Sequence, residues 1–226
     1  MNKIKLINKL RQRKYRDVLG LFIVEGDKLI EEIPKDLVEF IITVDEVGER
    51  EFKKLSELTT PQSKIAVCHK IQLNSSFNIQ HSELTVVLDR IQDPNNVGAI
   101  LRSTAAAGLK NVILLEGTAD PFNLKSVRAS MGAIFHLNLI NMSEEELLNS
   151  NLSLVSAHIE GTDYRNFSMP KNAALILGNE GQGVSNNLLE ASQKITIPIQ
   201  NVESLNVNAA AAILIFQFNR SQETKF

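Results

Sequence analysis

An α/β fold in two units, the larger built on a mainly parallel sheet, follows from three observations. Along residues 83–226, short unbroken apolar runs such as Thr85-Val86-Val87-Leu88 and Ala173-Ala174-Leu175-Ile176-Leu177 alternate with helix-like segments. Strands buried on both faces read this way, because helices cover each side of a parallel sheet. A smaller strand–helix rhythm occupies residues 1–75, and the polar, unpatterned stretch at about 74–82 between the two has the composition of a linker.

In the first unit, residues 3–15 read as one basic helix. Leu21 to Val24 reads as a strand, and Gly26 to Glu32 opens a helix. The β-branched run Val38 to Val44 is a second strand, Pro61 breaks the following helical stretch, and Lys64 to Cys68 is a third strand. In the second unit, Thr85 to Leu88 is a strand. Asn96 to Gly108 is a helix, with Val97, Ile100, Leu101, Thr104 and Ala105 on one face and Gly108 as its stop. Val112 to Leu115 and Phe135 to Ile140 are strands on either side of a helix over 122–132. Ser143 is an N-cap followed by acids in the first turn. Leu152 to His158, Ala173 to Leu177 and Ile195 to Ile197 are strands, Ser185 to Ser192 is a helix, and Leu205 to Asn219 is a closing helix that is apolar almost all round. Such a helix is deeply buried or part of an interface.

The 226 residues are 43% apolar, enough for a packed core, and no apolar run is long enough to span a bilayer. The first ten residues lack the continuous hydrophobic region of a signal peptide. Cys68 is the single cysteine, so no internal disulfide is possible and a reducing cytosol fits. These features point to a cytoplasmic protein with no membrane partner. His69, His81, His136 and His158 have no metal-like spacing to one another or to Cys68, so no metal is expected. No dinucleotide fingerprint, phosphate loop or nucleophile elbow occurs.

Net charge is −2, which argues against a generic polyanion binder. The distribution is uneven. Lys3, Lys5, Lys9, Arg11, Arg13, Lys14 and Arg16 come before the first acid, Asp17. A basic arm on an acidic body suggests local phosphate binding, tipping the reading towards RNA over an ordinary solvated helix.

Three polar runs carry the chemistry. DPNNVGAILR, residues 93–102, places Asn96 at a helix start, where it could simply cap, and Arg102 two turns further on, where it could reach back towards the carboxyl ends of the strands. LGNEGQG, residues 177–183, is a glycine loop around Glu180, a carboxylate that needs a partner in a cleft; Arg102, of the same or of a second subunit, is one candidate. IPIQNVESLN, residues 197–206, ends in Ser204, a candidate cap for the closing helix; Leu205, which could cover an apolar ligand face; and Asn206 in the first helical turn. Two such loops side by side would make a pocket lined by backbone.

DPNNVGAILRSTAAAG, LILGNEGQGV and IPIQNVESLNV, in that order, resemble the signature motifs of the SpoU (TrmH) family of SPOUT methyltransferases. The segment Val127 to Phe135 resembles a further family segment, and KLRQRKYRDVLGLFIVEGDKLI resembles a ribosomal RNA substrate-binding domain. The resemblance implies a trefoil-knotted domain over 83–226, against the usual rule for chain connections, and an RNA-binding domain over 1–75. It implies S-adenosyl-L-methionine held by Leu177, Gly178, Asn179, Gly183, Ile197, Ile199 and Leu205. It implies methylation of a ribose 2′-hydroxyl in RNA, most readily ribosomal RNA. The catalytic set by position is Asn96, Arg102, Glu180, Ser204 and Asn206. Lys9, Arg11, Arg13, Lys14, Arg16 and Arg128 would meet the RNA. A homodimer through the closing helix is also implied.

Two departures from the family pattern stand out: Asn208 where serine or alanine is common, and Asn201 where glycine is frequent. They keep open a catalytically silent RNA-binding or ribosome-assembly factor on the same scaffold. Transfer RNA is the rival substrate.

Overall fold

The computed structural model describes residues 2–71 and 84–223; the linker expected at 74–82 lies outside them. The first unit runs α1 (Lys3–Leu10), α2 (Arg13–Leu19), β1 (Leu21–Glu25), α3 (Asp27–Glu31), β2 (Val38–Thr43), α4 (Val44–Val47), α5 (Glu49–Leu55) and β3 (Lys64–His69). Its strands form an antiparallel sheet in the order β1-β3-β2.

The single basic helix expected over 3–15 is two helices. Gln12 is extended (φ −94°, ψ 132°) and breaks the run. The break lets α1 bury Leu6, Ile7 and Leu10 while α2 turns Arg16 inward. Arg16 is 3% exposed. Its Nε donates to Asp120 Oδ2 at 2.8 Å, and its Nη1 donates to the carbonyls of Leu10 and Arg11, both at 2.8 Å. This corrects its assignment to an RNA-facing surface, since a guanidinium sealed in the protein has no access to a phosphate. The helix expected to run towards Pro61 stops earlier, at Leu55.

The second unit runs β4 (Thr85–Asp89), α6 (Pro94–Ala106), β5 (Asn111–Leu114), α7 (Leu124–Ser130), β6 (Asn138–Asn141), α8 (Glu144–Leu148), β7 (Ser153–Asp163), β8 (Ala173–Gly178), α9 (Asn186–Ala191), β9 (Gln193–Thr196) and α10 (Val207–Glu223). Among the described residues these strands form a six-stranded sheet, β6-β5-β4-β8-β7-β9, and each neighbouring pair is parallel. The α/β architecture with a parallel sheet is therefore as the apolar runs predict.

Several boundaries move. The run from Phe135 is not strand from its start. Met131 (φ 48°) and Gly132 (φ 85°) end α7 in left-handed conformations, and a 3-10 turn over Ala133–His136 tucks Ile134 into the core before β6 begins. The last strand is Gln193–Thr196 rather than 195–197. Pro198, which lacks an N–H, stands two places beyond its end. The first strand–helix junction is capped by Asp93, whose side chain accepts from Asn95 N–H, and not by Asn96. The closing helix starts at Val207, and its cap is Asn206, not Ser204: Asn206 Oδ1 accepts from Asn208 N–H at 2.9 Å.

Gly98 sits where α6 crosses α7. A Cβ there would stand 2.3 Å from the Ser126 carbonyl oxygen, so only glycine lets the two helices approach this closely.

The two units share one core. Alternation along β1 sends Phe22 and Val24 into the main cluster with Leu88, Ile100 and Val127, while Leu21 and Ile23 pack under α1 and α5. Phe22 meets Phe122 with ring centroids 5.0 Å apart, a contact worth about 0.5–1.5 kcal/mol beyond its buried area. Arg16–Asp120 closes the same seam.

Candidate active site

The site grows from the pair β4–β8. Chain connections leave this pair in opposite directions, β4 towards β5 and β6, β8 beside β7 and β9. Such a divergence opens a crevice beyond the carboxyl ends of the strands. Asp89 and Gly178 end the two strands side by side, in register.

The loop after β8 is braced from within. Asn179 N–H donates to the Gly183 carbonyl at 3.1 Å, and Gly183 N–H returns a bond to Asn179 at 2.9 Å. Asn179 Oδ1 accepts from the N–H groups of Gly181 and Gln182, and its Nδ2 donates to the Arg90 carbonyl, all at 2.9 Å. Asn179, expected against the cofactor, thus spends its side chain shaping the loop. Gly178 is required by packing: a Cβ there would stand 2.2 Å from Val184 N. Gly183 (φ 69°) is required by conformation.

Residues that the sequence reading passed over hold this loop. Asp89 is 1% exposed and accepts from Arg90 Nε at 2.8 Å and from Ser185 N–H at 2.7 Å. Arg90, in a left-handed conformation (φ 58°), also donates to Gln182 Oε1 at 3.0 Å and to the Gly183 carbonyl at 3.2 Å. The hydrogen bond to Asp89 raises the Arg90 pKa, so its charge is permanent. Glu144 accepts from Ser185 Oγ at 2.6 Å and Asn187 Nδ2 at 2.7 Å, pinning the start of α9. The acidic run there is a helix N-terminus as expected, with Glu146 closing a capping box on Ser143. The one signal for Asp89 was an acid ending an apolar strand.

Glu180 faces the start of α6. Its Oε1 accepts from Asn96 Nδ2 at 2.9 Å and from Asp93 N–H at 3.4 Å, and its Oε2 accepts from Gln92 N–H at 3.3 Å. Burial raises its pKa, but the bonds from Asn96 and the backbone N–H groups outweigh burial and hold it below the ordinary carboxylate value. Asn96, 6% exposed, therefore spends its amide on Glu180 and is not the cap. Its Oδ1 accepts from Asn208 Nδ2 at 3.2 Å, and Asn208 N–H leads on to Asn206. The structure thus joins Asn96, Glu180 and Asn206 in one hydrogen-bonded chain, through Asn208.

Arg102 and Ser204 stay outside that chain. Both are exposed. Neither has a hydrogen-bond or ion-pair partner among the described residues, so Glu180 and Arg102 do not pair within one subunit.

The third run is open backbone. Among the described residues, no backbone hydrogen bond ties residues 197–205 to the rest of the chain. Ile197 and Ile199 are half-buried, and Leu205 is 36% exposed. Asn201 has φ 65°, the conformation that glycine adopts freely and asparagine tolerates best among the other residues. The departure at this position is therefore conservative in shape.

Comparison with known proteins accounts for this arrangement. The sequence profile described as the SpoU rRNA Methylase family matches residues 83–216, more than half of the chain. The chain belongs to this family. A second profile, the MRM3-like substrate binding domain, matches residues 1–41. The SpoU chain is 33% identical to the 23S rRNA (guanosine(2553)-2'-O)-methyltransferase RlmP of Bacillus subtilis, with 95% of this chain and 94% of that protein covered. It is 25% identical to human mitochondrial rRNA methyltransferase 3, over 93% of this chain and 70% of that one. The AdoMet-bound rRNA methyltransferase of Sinorhizobium meliloti superposes with a TM-score of 0.86 at 28% identity, covering 97% of this chain and 95% of that one.

The basic residues of this SpoU protein divide sharply. Arg11 donates from Nη2 to the carbonyls of Lys54 and Leu55 at 2.9 and 3.0 Å, so it is committed to α5. Arg128 is half-buried, and its charge acts on the buried Glu25. Lys9 lies over the Tyr15 ring at 5.4 Å, and Arg13 sits 3.6 Å from Asp17, both at the surface. Lys14 is exposed.

Proposed function

We propose that this protein methylates a ribose 2′-hydroxyl of ribosomal RNA, using S-adenosylmethionine. The observation that carries the reading is the open backbone of residues 197–205, which leads into Asn206 and, through Asn208 and Asn96, to Glu180 of the glycine loop. A ligand recognised mainly by N–H and C=O groups needs such unpaired backbone, so the chain fits this cofactor. Gly178, Gly183, Ile197, Ile199 and Leu205 would hold it, with Leu177 behind them in the core. When bound, the cofactor supplies a methyl group on a sulfonium, ready for transfer to an oxygen nucleophile.

The remaining work falls to side chains. A guanidinium keeps its proton at any working pH. Arg102 therefore acts by stabilising the alkoxide that develops at the 2′-oxygen, together with an RNA phosphate held nearby. Glu180, ionised and fixed by Asn96, Asp93 and Gln92, orders the polar wall of the site; Ser204 and Asn206 border the substrate. Lys9, Arg13 and Lys14 dock the RNA by its phosphates, and the unit over 1–75 is the docking domain for the catalytic unit over 83–226.

The family resemblance also supports a knotted C-terminal segment and a homodimer through α10. Ile213 (38% exposed) and Phe216 (42%) present an apolar face there. A second subunit would bring its Arg102 to this site, which fits the absence of a partner for Arg102 among the described residues of one chain. The named action of the Bacillus relative on 23S rRNA supports ribosomal over transfer RNA, and with it a cytoplasmic place of work. No helix among the described residues is long and apolar enough to cross a membrane. The silent-factor reading rests on Asn201 and Asn208; Asn201 keeps the left-handed turn and Asn208 donates to Asn96, which supports the enzyme instead.

Methyl transfer from labelled S-adenosylmethionine to RNA from a strain lacking the gene, with native protein and Arg102→Ala in parallel, tests this. Incorporation that depends on Arg102 and maps to a 2′-O-methyl position is the expected result. RNA binding without incorporation, into free RNA or partly assembled subunits, would establish the silent factor instead.

A further inference from the structure

Asn208 is the residue at which the chain departs from its family, and the hydrogen-bond pattern around it gives it a task. Glu180 is an ionised carboxylate and can only accept. Asn96 must therefore turn Nδ2 towards it, as the 2.9 Å contact shows. That choice leaves Asn96 Oδ1 on the other side, in a residue 6% exposed, where an acceptor needs a donor. Among the described residues Asn208 Nδ2, at 3.2 Å, is the donor that reaches it. The backbone N–H of Asn208 is meanwhile held by Asn206 Oδ1, which fixes the residue in the first turn of α10.

We infer that Asn208 is a positioning residue: by donating to Asn96 Oδ1 it locks the Asn96 carboxamide in the orientation that Glu180 selects and joins the first turns of α6 and α10 at Glu180. Asn208 itself touches no reacting atom. Its effect passes through Asn96. An alanine at 208 leaves Asn96 Oδ1 without its donor, so the carboxamide is held by the Glu180 bond alone and swings about it. A glutamine keeps a donor on a longer stem and preserves part of the orientation. The kinetic consequence rests on the methyl-transfer reading; the orientation itself does not.

The test is a double-mutant cycle between positions 208 and 96. Single-turnover methyl transfer is measured for native protein, Asn208→Ala, Asn96→Ala and the double variant, with Asn208→Gln as the conservative control. Asn208→Ala is expected to slow transfer about tenfold in the native background. In the Asn96→Ala background it is expected to cost less than about twofold. Asn208→Gln should fall between native and alanine. Equal losses in both backgrounds, or no loss in the native background, overturn the inference. The second arm needs no catalysis. The side-chain amide resonances of Asn96 in ¹⁵N-labelled protein should move in Asn208→Ala while the backbone spectrum stays that of a folded chain. Unmoved Asn96 amide signals overturn the inference on their own. A native protein that transfers no methyl group, yet shows that movement, loses the proposed activity and keeps the positioning contact.

Discussion

Arg16 is 3% exposed and spends its guanidinium on Asp120 and two carbonyls, whereas Arg102 stands on the solvent face of α6 with no partner among the described residues. Each guanidinium brings five donors. In the first case four of them find acceptors inside the protein, on Asp120 and on the carbonyls of Leu10 and Arg11. In the second none meets an acceptor among the described residues. A buried arginine held in this way is an element of architecture. An exposed one on a helix that starts at a crevice is free to meet a substrate. The same division runs through the carboxylates. Glu180 gathers donors and is held ionised. Glu25, 3% exposed, leaves Oε1 without a hydrogen-bond partner, and burial pushes its carboxyl up despite bonds from Ser56 and Glu57 and the charge of Arg128.

The contrast between the two arginines is breakable in a graded way. Arg16→Ala leaves Asp120 charged and buried, and should cost about 3–5 kcal/mol of stability, read as a large fall in Tm. Replacing both partners, Arg16→Met with Asp120→Leu, should recover most of that loss, because no charge is then stranded. If the double replacement is as unstable as the single one, the pair is more than a self-contained ion pair. Arg102→Ala should behave in the opposite sense. Methyl transfer falls about 10²–10³-fold, while urea unfolding shifts by no more than about 0.5 kcal/mol. A Tm loss comparable to that of Arg16→Ala would place Arg102 in the architecture instead.

Glu25→Gln sharpens the carboxylate half of the comparison. The folded protein holds the Glu25 proton more tightly than the unfolded chain does. The contribution of Glu25 to stability is therefore greatest below the ordinary value near 4.5 and is lost as pH rises through the raised folded value. The glutamine variant should unfold at a higher temperature than native protein at pH 7, and the gain should vanish as pH drops below about 4.5. A gain that is the same at both pH values would remove the carboxyl charge from the explanation. The smallest effect belongs to Lys14. Lys14→Ala should weaken RNA binding a few-fold and lower the slope of log affinity against log salt by about 0.7–0.9, with no change in Tm. An unchanged salt slope would take Lys14 off the RNA path.

Much of the fold was legible because apolar runs report burial directly. β4, β5 and β8 fall where unbroken runs of valine, isoleucine and leucine stand, and Ser143 caps its helix as read. The failures occurred where local signals compete. Residues 3–15 have enough helical character for one helix, but burying both Leu10 and Arg16 requires the turn at Gln12. Asn96 and Ser204 are both good caps by type, and neighbours one or two places away, Asp93 and Asn206, took the positions.

The site divides in the same manner. Glycine at 178 and 183, a carboxylate at 180 and asparagines at 96 and 206 are residue types that turns and helix caps also use, and it was the resemblance to the SpoU motifs that singled them out as a set. The partnerships of Asp89, Arg90 and Asn208 were not legible, since they span 92 to 112 residues of sequence. A charged or amide side chain acquires its function from the donors and acceptors facing it, and those come from distant segments. By itself the amino-acid sequence determined the α/β rhythm, the family and the three loops, because hydrophobic periodicity, motif order and backbone conformation are properties of neighbouring residues. Only the tertiary structure decided which arginine is sealed and which is free, and which asparagine orients which, because burial and hydrogen-bond partnership are settled where the segments meet.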